Sequence, residues 1–528
     1  MGAVEVLTDP SSLYEADYVG NVDVSDTDMM QYVRNALASV KTGESDRYDD
    51  LVRALQIKNV SDPDAGAQLE IVLKALSSSV ACIDVIHHRK LLSSIFGMSL
   101  WDHKPYIMDA LVGLLISLAV SSGKYLDSCL NMLISNFLPP SWVISKLAVA
   151  NPRVVNKKTE VLSRVHEAFL KISLLFPLAP SRLFPMLAQR MPKINKKDHV
   201  IVMYVENLLK LENSVIGQVG GRMILMMVME RLRDLDLEIG WDDIPQDDSS
   251  RGMFDMELED AAEATMDEGD ELPVGSLNQD TSISDCLDKL MIKSFDHLES
   301  CQNAGRLDQV FENLFESFEN FILNTYKSKV SQFLLFFACS LDPENCGVKF
   351  ASKLLDIFLS SNKPRPTRQS VATLILLCLK KFRLVDECAD YCRTCNNDIR
   401  PEAHQIFYSG CQAIMYVLCF RMRSILDVPR FRSQLIPLES ILMHKLNPLM
   451  VCLPSVVAEF LRQAKTGGLF IVSGSYIFED LLESELSRAF GGCERLDTFF
   501  PFDPCMLKES NRFALFQTLA LFCFAVLE

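Results

Sequence analysis

One stretch sets the terms for the whole chain: PYIMDALVGLLISLAVSSGKYLDSCLNMLISNFLPP, residues 105 to 140. Pro105 stands where a first helical turn tolerates it, and the apolar residues that follow cover most of a helical circumference. SSG then turns the chain, and Pro139 and Pro140 stop the second run. Two helices joined by so short a turn lie antiparallel. The figure returns in VLSRVHEAFLKISLLF with SRLFPMLAQRM, in HVIVMYVENLLKLE with GGRMILMMVMERLRDL, and in FENLFESFENFILNTY, KVSQFLLFFACSL and GVKFASKLLDIFLSS. Period-2 alternation is almost absent, and units recur at roughly 35 to 50 residues, the length of a HEAT-type repeat. Helices this apolar bury their faces only against neighbours. The spacing therefore predicts an all-α fold, a HEAT-repeat-like α-solenoid of antiparallel helix pairs, with an irregular globular helical domain as the alternative.

The acidity of the chain is local. Between Asp242 and Asp280 there are 14 acidic residues and one basic, a balance of −13 out of a net −17. Such a stretch buries too little apolar area to offset chain entropy, so an acidic disordered insertion is expected there. Ser249, Ser250, Thr281 and Ser282 are its candidate phosphosites; a solvated insertion is the plainer reading. The resulting partition is a poorly ordered N-terminus at 1–24, an N-terminal HEAT-like array at 25–238, the acidic loop at 239–281, a C-terminal HEAT-like array at 282–490, and a C-terminal segment at 491–528.

Sixteen cysteines in no regular framework, with no basic and apolar leader at MGAVEVLTDPSSLYEADY, point to a reducing compartment, nucleus or cytosol. No apolar run reaches the ~20 residues of a membrane span. The terminal FALFQTLALFCFAVLE is read as a packed helix or an apolar chain end.

Motifs for chemistry are missing. There is no phosphate-binding G-x-x-x-x-G-K-[ST] loop, no G-x-S-x-G elbow, no H-E-x-x-H pair and no dinucleotide fingerprint, which points to no cofactor and to a scaffold rather than an enzyme. Cys388, Cys392 and Cys395 in CADYCRTC, with His404 nearby, are the one metal-like spacing. Buried thiols acting as small apolar groups explain them better than a metal does. His87, His88 and His103 read as structural histidines.

Three basic groups offer phosphate contacts: Lys363, Arg365, Arg368, Lys380, Lys381 and Arg383; NPRVVNKK at 151 to 158; and RMPKINKKD at 190 to 198. Clustered cations neutralise phosphates without reading bases, and solvated helix ends account for each group equally well.

Three further stretches carry a resemblance. FYSGCQAIMYVLCFR (407 to 421), LNPLMVCLPSVVAEF (446 to 460) and LDTFFPFDPCMLKES (496 to 510) resemble the signature segments of the RNA polymerase I-specific transcription initiation factor family. Weaker similarity through KTGESDRYDDLV and KYLDSCLNMLISNFLPP extends it over most of residues 30 to 510. The resemblance implies a non-enzymatic nuclear and nucleolar factor for ribosomal RNA synthesis, with a HEAT-like solenoid and a poorly ordered acidic insertion. It implies contact with the stalk side of RNA polymerase I, a bridge to promoter-bound core or selectivity factor, and control by phosphorylation. The polymerase-binding serine surface falls on Ser93, Ser94, Ser121, Ser122 and Ser128, and the promoter-factor or weak DNA contact on the cluster from Lys363 to Arg383. A homodimer of the free protein is a further expectation. A general HEAT-type scaffold or transport adaptor not tied to polymerase I is the alternative.

Asn447, Pro448, Pro454, Phe499, Phe500, Phe502, Asp503 and Pro504 are the signature positions with a structural or docking role. Pro501 and Pro504 force an extended path, and Asp503 before proline favours β or polyproline backbone that lays three rings against something. Those rings either staple the segment onto the last helices or anchor a partner. Family members continue into a polar, phosphorylatable tail, whereas this chain ends on NRFALFQTLALFCFAVLE. A truncated or alternatively spliced product is the expectation, so tail regulation does not transfer.

Overall fold

A computed structural model of the chain describes residues 24–56, 63–147, 151–239, 283–325, 331–360, 362–364, 367–368, 371, 383–395, 400–427, 429–469 and 509–510. The acidic stretch from 242 to 280 and the apolar end from Phe513 lie outside these residues. The described residues form helices joined by turns, with no strand among them. None of these helices is long and apolar enough to cross a membrane. The chain divides into two compact units, one comprising residues up to Met191 plus Ser214–Val219, the other Pro192–Asn213 and residues from Gly220 onward.

The first unit holds α1 (Val24–Thr42), α2 (Asp46–Leu55), α3 (Pro63–Ser77), α4 (Arg89–Phe96), α5 (Pro105–Ser121), α6 (Gly123–Ser135), α7 (Ser141–Leu147), α8 (Pro152–Leu175) and α9 (Ala179–Gln189). Packing sorts them into two rows. α1, α3, α5 and α8 lie side by side, and α2, α4, α6 and α9 form a second row against them. Each row buries the other: Leu111, Leu114, Leu115 and Leu118 of α5 are fully enclosed, as are Leu133 of α6 and Phe169 of α8. Burial of one such side chain is worth about 1.5 to 3 kcal/mol. Stacked antiparallel pairs are the expected HEAT-like figure.

Polar contacts repeat with the stack. Arg164 on α8 grips Asp109 on α5 through two hydrogen bonds, and 18 positions on Arg182 on α9 grips Asp127 on α6 in the same way, both at a separation of 55 residues. Shorter offsets recur between earlier pairs, with Ser77 to Ser117 at 40 and Asp49 to Lys90 at 41.

The second unit holds α10 (Asp198–Glu212), most of α11 (Val215–Glu238), which is kinked at Gly220, then α12 (Ile283–Asn303), α13 (Leu307–Ser317), α14 (Phe333–Leu341) and α15 (Val348–Leu359). It continues with α16 (Arg383–Thr394), α17 (Gln405–Leu426), α18 (Pro429–Gln434), α19 (Leu438–Leu442), α20 (Pro448–Val451) and α21 (Pro454–Gly467). α12 packs on α10, α13 and α14, and α17 on α16 and α21. Offsets near 41 appear here too, in the ion pairs of Lys349 with Asp308 and Lys353 with Glu312. FENLFESFENFILNTY, expected as one helix, is α-helical only to Ser317 and widens into a π turn over Phe318–Ile322. The widening serves the core: Phe315, Phe318 and Phe336 all set their rings about Phe350, at centroid distances of 5.9, 5.9 and 6.0 Å.

Candidate functional site

The serines of the expected polymerase surface all belong to the first unit, on α4, at the end of α5, in the turn before α6 and on α6, and α4 packs on α6. Ser93 and Ser128 are exposed on α4 and α6. Ser94 is half-buried, and its Oγ accepts from Gln56 Nε2 at 3.2 Å. Ser121 closes α5, its exposed hydroxyl donating to the Leu118 carbonyl at 2.9 Å. Ser122 is extended, with φ −158° and ψ 132°, and caps α6 by accepting from the Lys124 amide. SSG is therefore an N-cap that fixes the α5–α6 corner as well as a row of hydroxyls.

Neighbouring histidines are structural in their contacts. His88 is buried, its Nδ1 accepting from the Asp84 amide at 2.8 Å and its Nε2 lying 2.9 Å from the Leu37 carbonyl. Burial holds the His103 ring below the ordinary histidine pKa. In the basic group at 151 to 158, Lys157 turns inward to donate to the His103 carbonyl at 3.0 Å.

The basic run of the second unit is not one described patch. Lys363 pairs with Glu319 at 3.0 Å, and Arg368 donates from Nε to the Phe358 carbonyl at 2.6 Å with its guanidinium over that ring. Arg365, Lys380 and Lys381 lie outside the described residues, as does the side chain of Arg383 at the start of α16.

The signature segments meet each other. Tyr408 Oη donates to the Leu446 carbonyl at 2.8 Å, the Leu453 amide donates to Gln412 Oε1 at 3.0 Å, and Cys452 Sγ lies 3.5 Å from the Tyr408 carbonyl. Asn447 takes φ 50°, ψ 60° as the N-cap of α20, Pro448 fills its first turn, and Pro454 fills that of α21. FYSGCQ and LNPLMVCLPSVV are thus the two sides of one packed corner. The third segment is described only at its end, where the Glu509 and Ser510 amides bond to Asp288 on α12. Phe499, Phe500, Phe502, Asp503 and Pro504 lie outside the described residues.

The cysteine run does not converge on one point. Cys388 turns inward, where its thiol and that of Cys411 share a hydrogen bond, whereas Cys395 lies 4.0 Å from His444 Nε2. Burial pushes the Cys392 thiol up to about 12 and that of Cys411 well above its ordinary value. Thiols so held are protonated and inert.

Sequence reasoning missed a different cluster. Glu212, at the end of α10, is almost fully buried, and its carboxylate takes His297 Nε2 at 3.0 Å and Arg306 Nη2 at 3.1 Å. Cys301 Sγ stands 3.5 Å from His297 Nε2 and 3.3 Å from Arg306 Nη2, and Asn213 Oδ1 accepts from the same guanidinium nitrogen at 2.5 Å. Among the described residues, Glu212, His297 and Cys301 are the group whose metal-ligand atoms converge. Arg306 already supplies the cation to that corner, so the arrangement is an internal ion network. Gly221 makes room for it, since a Cβ there would lie 3.0 Å from Glu212 Oε1. His297 and Cys301 are four apart on α12, a spacing that became visible only once the carboxylate opposite was known.

Among the described residues no nucleophile, base and oxyanion site assembles, and the functional evidence comes from kinship. The chain covers 84% of its length and 87% of the other in superposing on the crystal structure of RNA polymerase I transcription initiation factor Rrn3, with TM-score 0.64 and 18% identity, a likeness of fold. It is 26% identical over 531 residues to the mouse RNA polymerase I-specific transcription initiation factor RRN3, covering 91% of this chain and 79% of the relative. It is 24% identical over 550 residues to rrn3 of Schizosaccharomyces pombe, covering 94% and 87%. The family model for the RNA polymerase I specific transcription initiation factor RRN3 matches residues 22–517. With both helical units, the packed corner of two signature segments and the end of the third inside that match, the chain belongs to the RRN3 family of RNA polymerase I-specific transcription initiation factors, which are not enzymes.

Proposed function

We propose that this chain binds initiation-competent RNA polymerase I on its stalk side and bridges it to promoter-bound core or selectivity factor, in the nucleus and nucleolus, under control by phosphorylation. The observation that carries the reading is the RRN3 match over residues 22–517, and Ser93, Ser94, Ser121, Ser122 and Ser128, which stand on α4, at the α5–α6 corner and on α6 inside that match, are the serines we assign to the polymerase contact. Each phosphate added there brings nearly two negative charges to a surface whose hydroxyls are otherwise neutral. The second unit, with the basic run from Lys363 to Arg383, is assigned to the promoter side, and any DNA contact there is a weak, phosphate-directed one.

The test is affinity capture of tagged protein from nuclear extract after cross-linking, with and without phosphatase. Cross-links from residues 90 to 130 to polymerase I stalk subunits, strengthened by phosphatase, are the expected result. Recovery of other partners without polymerase I would overturn the reading in favour of a general adaptor.

A further inference from the structure

Arg306 differs from the groups it joins in the second unit. The side chains of Glu212 and His297 are 2% and 4% exposed and Cys301 is fully buried, and each stands on a helix, Glu212 at the end of α10 and the other two a turn apart on α12. The Arg306 side chain is 23% exposed and enters from beyond the end of α12, just after Gly305 at φ 68°. Three fixed donors therefore face one cation that reaches in from the surface and can leave without unmaking a helix. Their spacing is that of ligands about a metal. Bonds of about 2.0 to 2.3 Å in a tetrahedron set ligand atoms about 3.3 to 3.6 Å apart. Cys301 Sγ lies 3.5 Å from His297 Nε2 and 3.6 Å from Asn213 Oδ1, and His297 Nε2 lies 3.0 Å from a Glu212 oxygen. One guanidinium nitrogen, Arg306 Nη2, touches Glu212, Cys301 and Asn213 at 3.1, 3.3 and 2.5 Å, so the corner is already shaped to hold a positive charge.

We infer that Glu212, His297 and Cys301, with Asn213 Oδ1 as fourth donor, form a zinc site in which Arg306 is the cation that the metal replaces. The exchange conserves charge. One carboxylate with one guanidinium sums to zero, and so does one zinc dication with that carboxylate and a Cys301 thiolate, so the interior gains no net charge. On binding, the Cys301 thiol gives its proton to solvent, His297 offers Nε2 while its own proton sits on Nδ1, and Arg306 turns out to water. Thiolate, imidazole and carboxylate are the donor types zinc takes, whereas calcium and magnesium select oxygen. Bound zinc would tie α10 to α12, two helices that the acidic stretch separates along the chain.

The experiment strips the full chain with a chelator and titrates it with cobalt, whose sulfur-to-metal charge-transfer band reports a thiolate ligand, and then with zinc. The wild type should develop the band at one cobalt per chain. Cys82→Ser, and Cys392→Ser with Cys395→Ser, should keep it, whereas Cys301→Ser and His297→Gln should lose it. Arg306→Met removes the competing cation, so it should bind zinc at least tenfold tighter than the wild type against a chromophoric chelator, and zinc should return its melting temperature toward that of the wild type. A role confined to packing moves neither reading. Absence of the band in both the wild type and Arg306→Met would overturn the inference. So would a band that survives Cys301→Ser and disappears with the Cys392 and Cys395 changes, because the metal then sits on that run. Where circular dichroism shows Cys301→Ser or His297→Gln unfolded, Arg306→Met decides alone, and zinc binding there no tighter than in the wild type overturns the site.

Discussion

Asp288 on α12 receives the backbone amides of Glu509 and Ser510, 221 and 222 residues further along, at 2.8 and 2.7 Å, one on each carboxylate oxygen. Asp288 and Ser510 are both buried, so water does not compete for these bonds. LDTFFPFDPCMLKES thus ends on the chain's own first helix after the acidic stretch, and one carboxylate makes that closure. Hydrogen bonds to a charged group contribute about 1.5 to 3 kcal/mol each. Asp288→Ala should speed exchange of the Glu509 and Ser510 amides by about tenfold or more, with Asp288→Asn intermediate because one acceptor remains. Native-state hydrogen exchange reads this directly, and unchanged rates would mean that something other than Asp288 holds the segment.

The Glu212 network sets an acid limb. Burial works against ionisation of Glu212, but hydrogen bonds from His297 and Arg306 outweigh it and hold the carboxyl below its ordinary 4.5. A carboxyl depressed in the fold stabilises it above the unfolded-chain pKa, and that contribution fades as pH falls through the lower folded value. Glu212→Gln should therefore melt below the wild type at pH 7, with the gap narrowing below about pH 4.5. A gap that stays constant down to pH 3 would rule out ionisation of Glu212 as its source. Arg306→Met, which leaves a buried carboxylate short of its cation, should cost about 3 to 5 kcal/mol in urea titration.

Native thiol labelling should sort the cysteines by cover. Burial pushes the thiols of Cys129, Cys301, Cys346 and Cys419 up to about 12, while Cys82 is exposed on the surface of the first unit. Thiolate is the reactive form, so at pH 8 iodoacetamide should modify Cys82 well before these four, which react only on the timescale of opening. Peptide mass spectrometry of a time course checks the order. Early modification of Cys301 would mean that the corner around Arg306 opens far more often than its packing suggests.

How much of this was legible before the structure follows from range. Helix pairs such as α5 and α6 announce themselves because their cause is local: apolar period, a proline at the first turn and a serine cap stand within a few residues of one another. The repeat was legible as a length, and the Arg–Asp grips at a 55-residue offset became visible only once the pairs were stacked. Glu212 and Arg306 could not be read, since residues 94 apart carry no mutual signal in one sequence. A still longer separation, 222 residues, hid the pairing of Asp288 with Ser510. The six basic residues between Lys363 and Arg383 looked like a patch because sequence counts charge without direction. Lys363 and Arg368 turn theirs onto Glu319 and Phe358. The serine positions came from kinship alone, because nothing in their own period or spacing singles them out.

Asn447 shows how a signature residue works through its backbone. Its side chain is exposed, yet its φ of 50° is the one left-handed value among the described non-glycine residues. Pro448 by itself would push the residue before it toward extended backbone, so the left-handed value is set by the tight entry into α20 and needs a residue that accepts it. Asparagine does so at little cost, and a β-branched residue pays about 1 to 2 kcal/mol. Asn447→Val should lower the urea midpoint by that amount, and Asn447→Gly should stay within about 0.5 kcal/mol of the wild type. The valine change should also loosen the bond from Tyr408 Oη to the Leu446 carbonyl next door, seen as faster exchange at the start of α20, because both depend on the same turn. If valine is tolerated without loss, the corner is held by the packing of Pro448 and Leu449 alone, and asparagine at this position must be kept for what its exposed side chain meets.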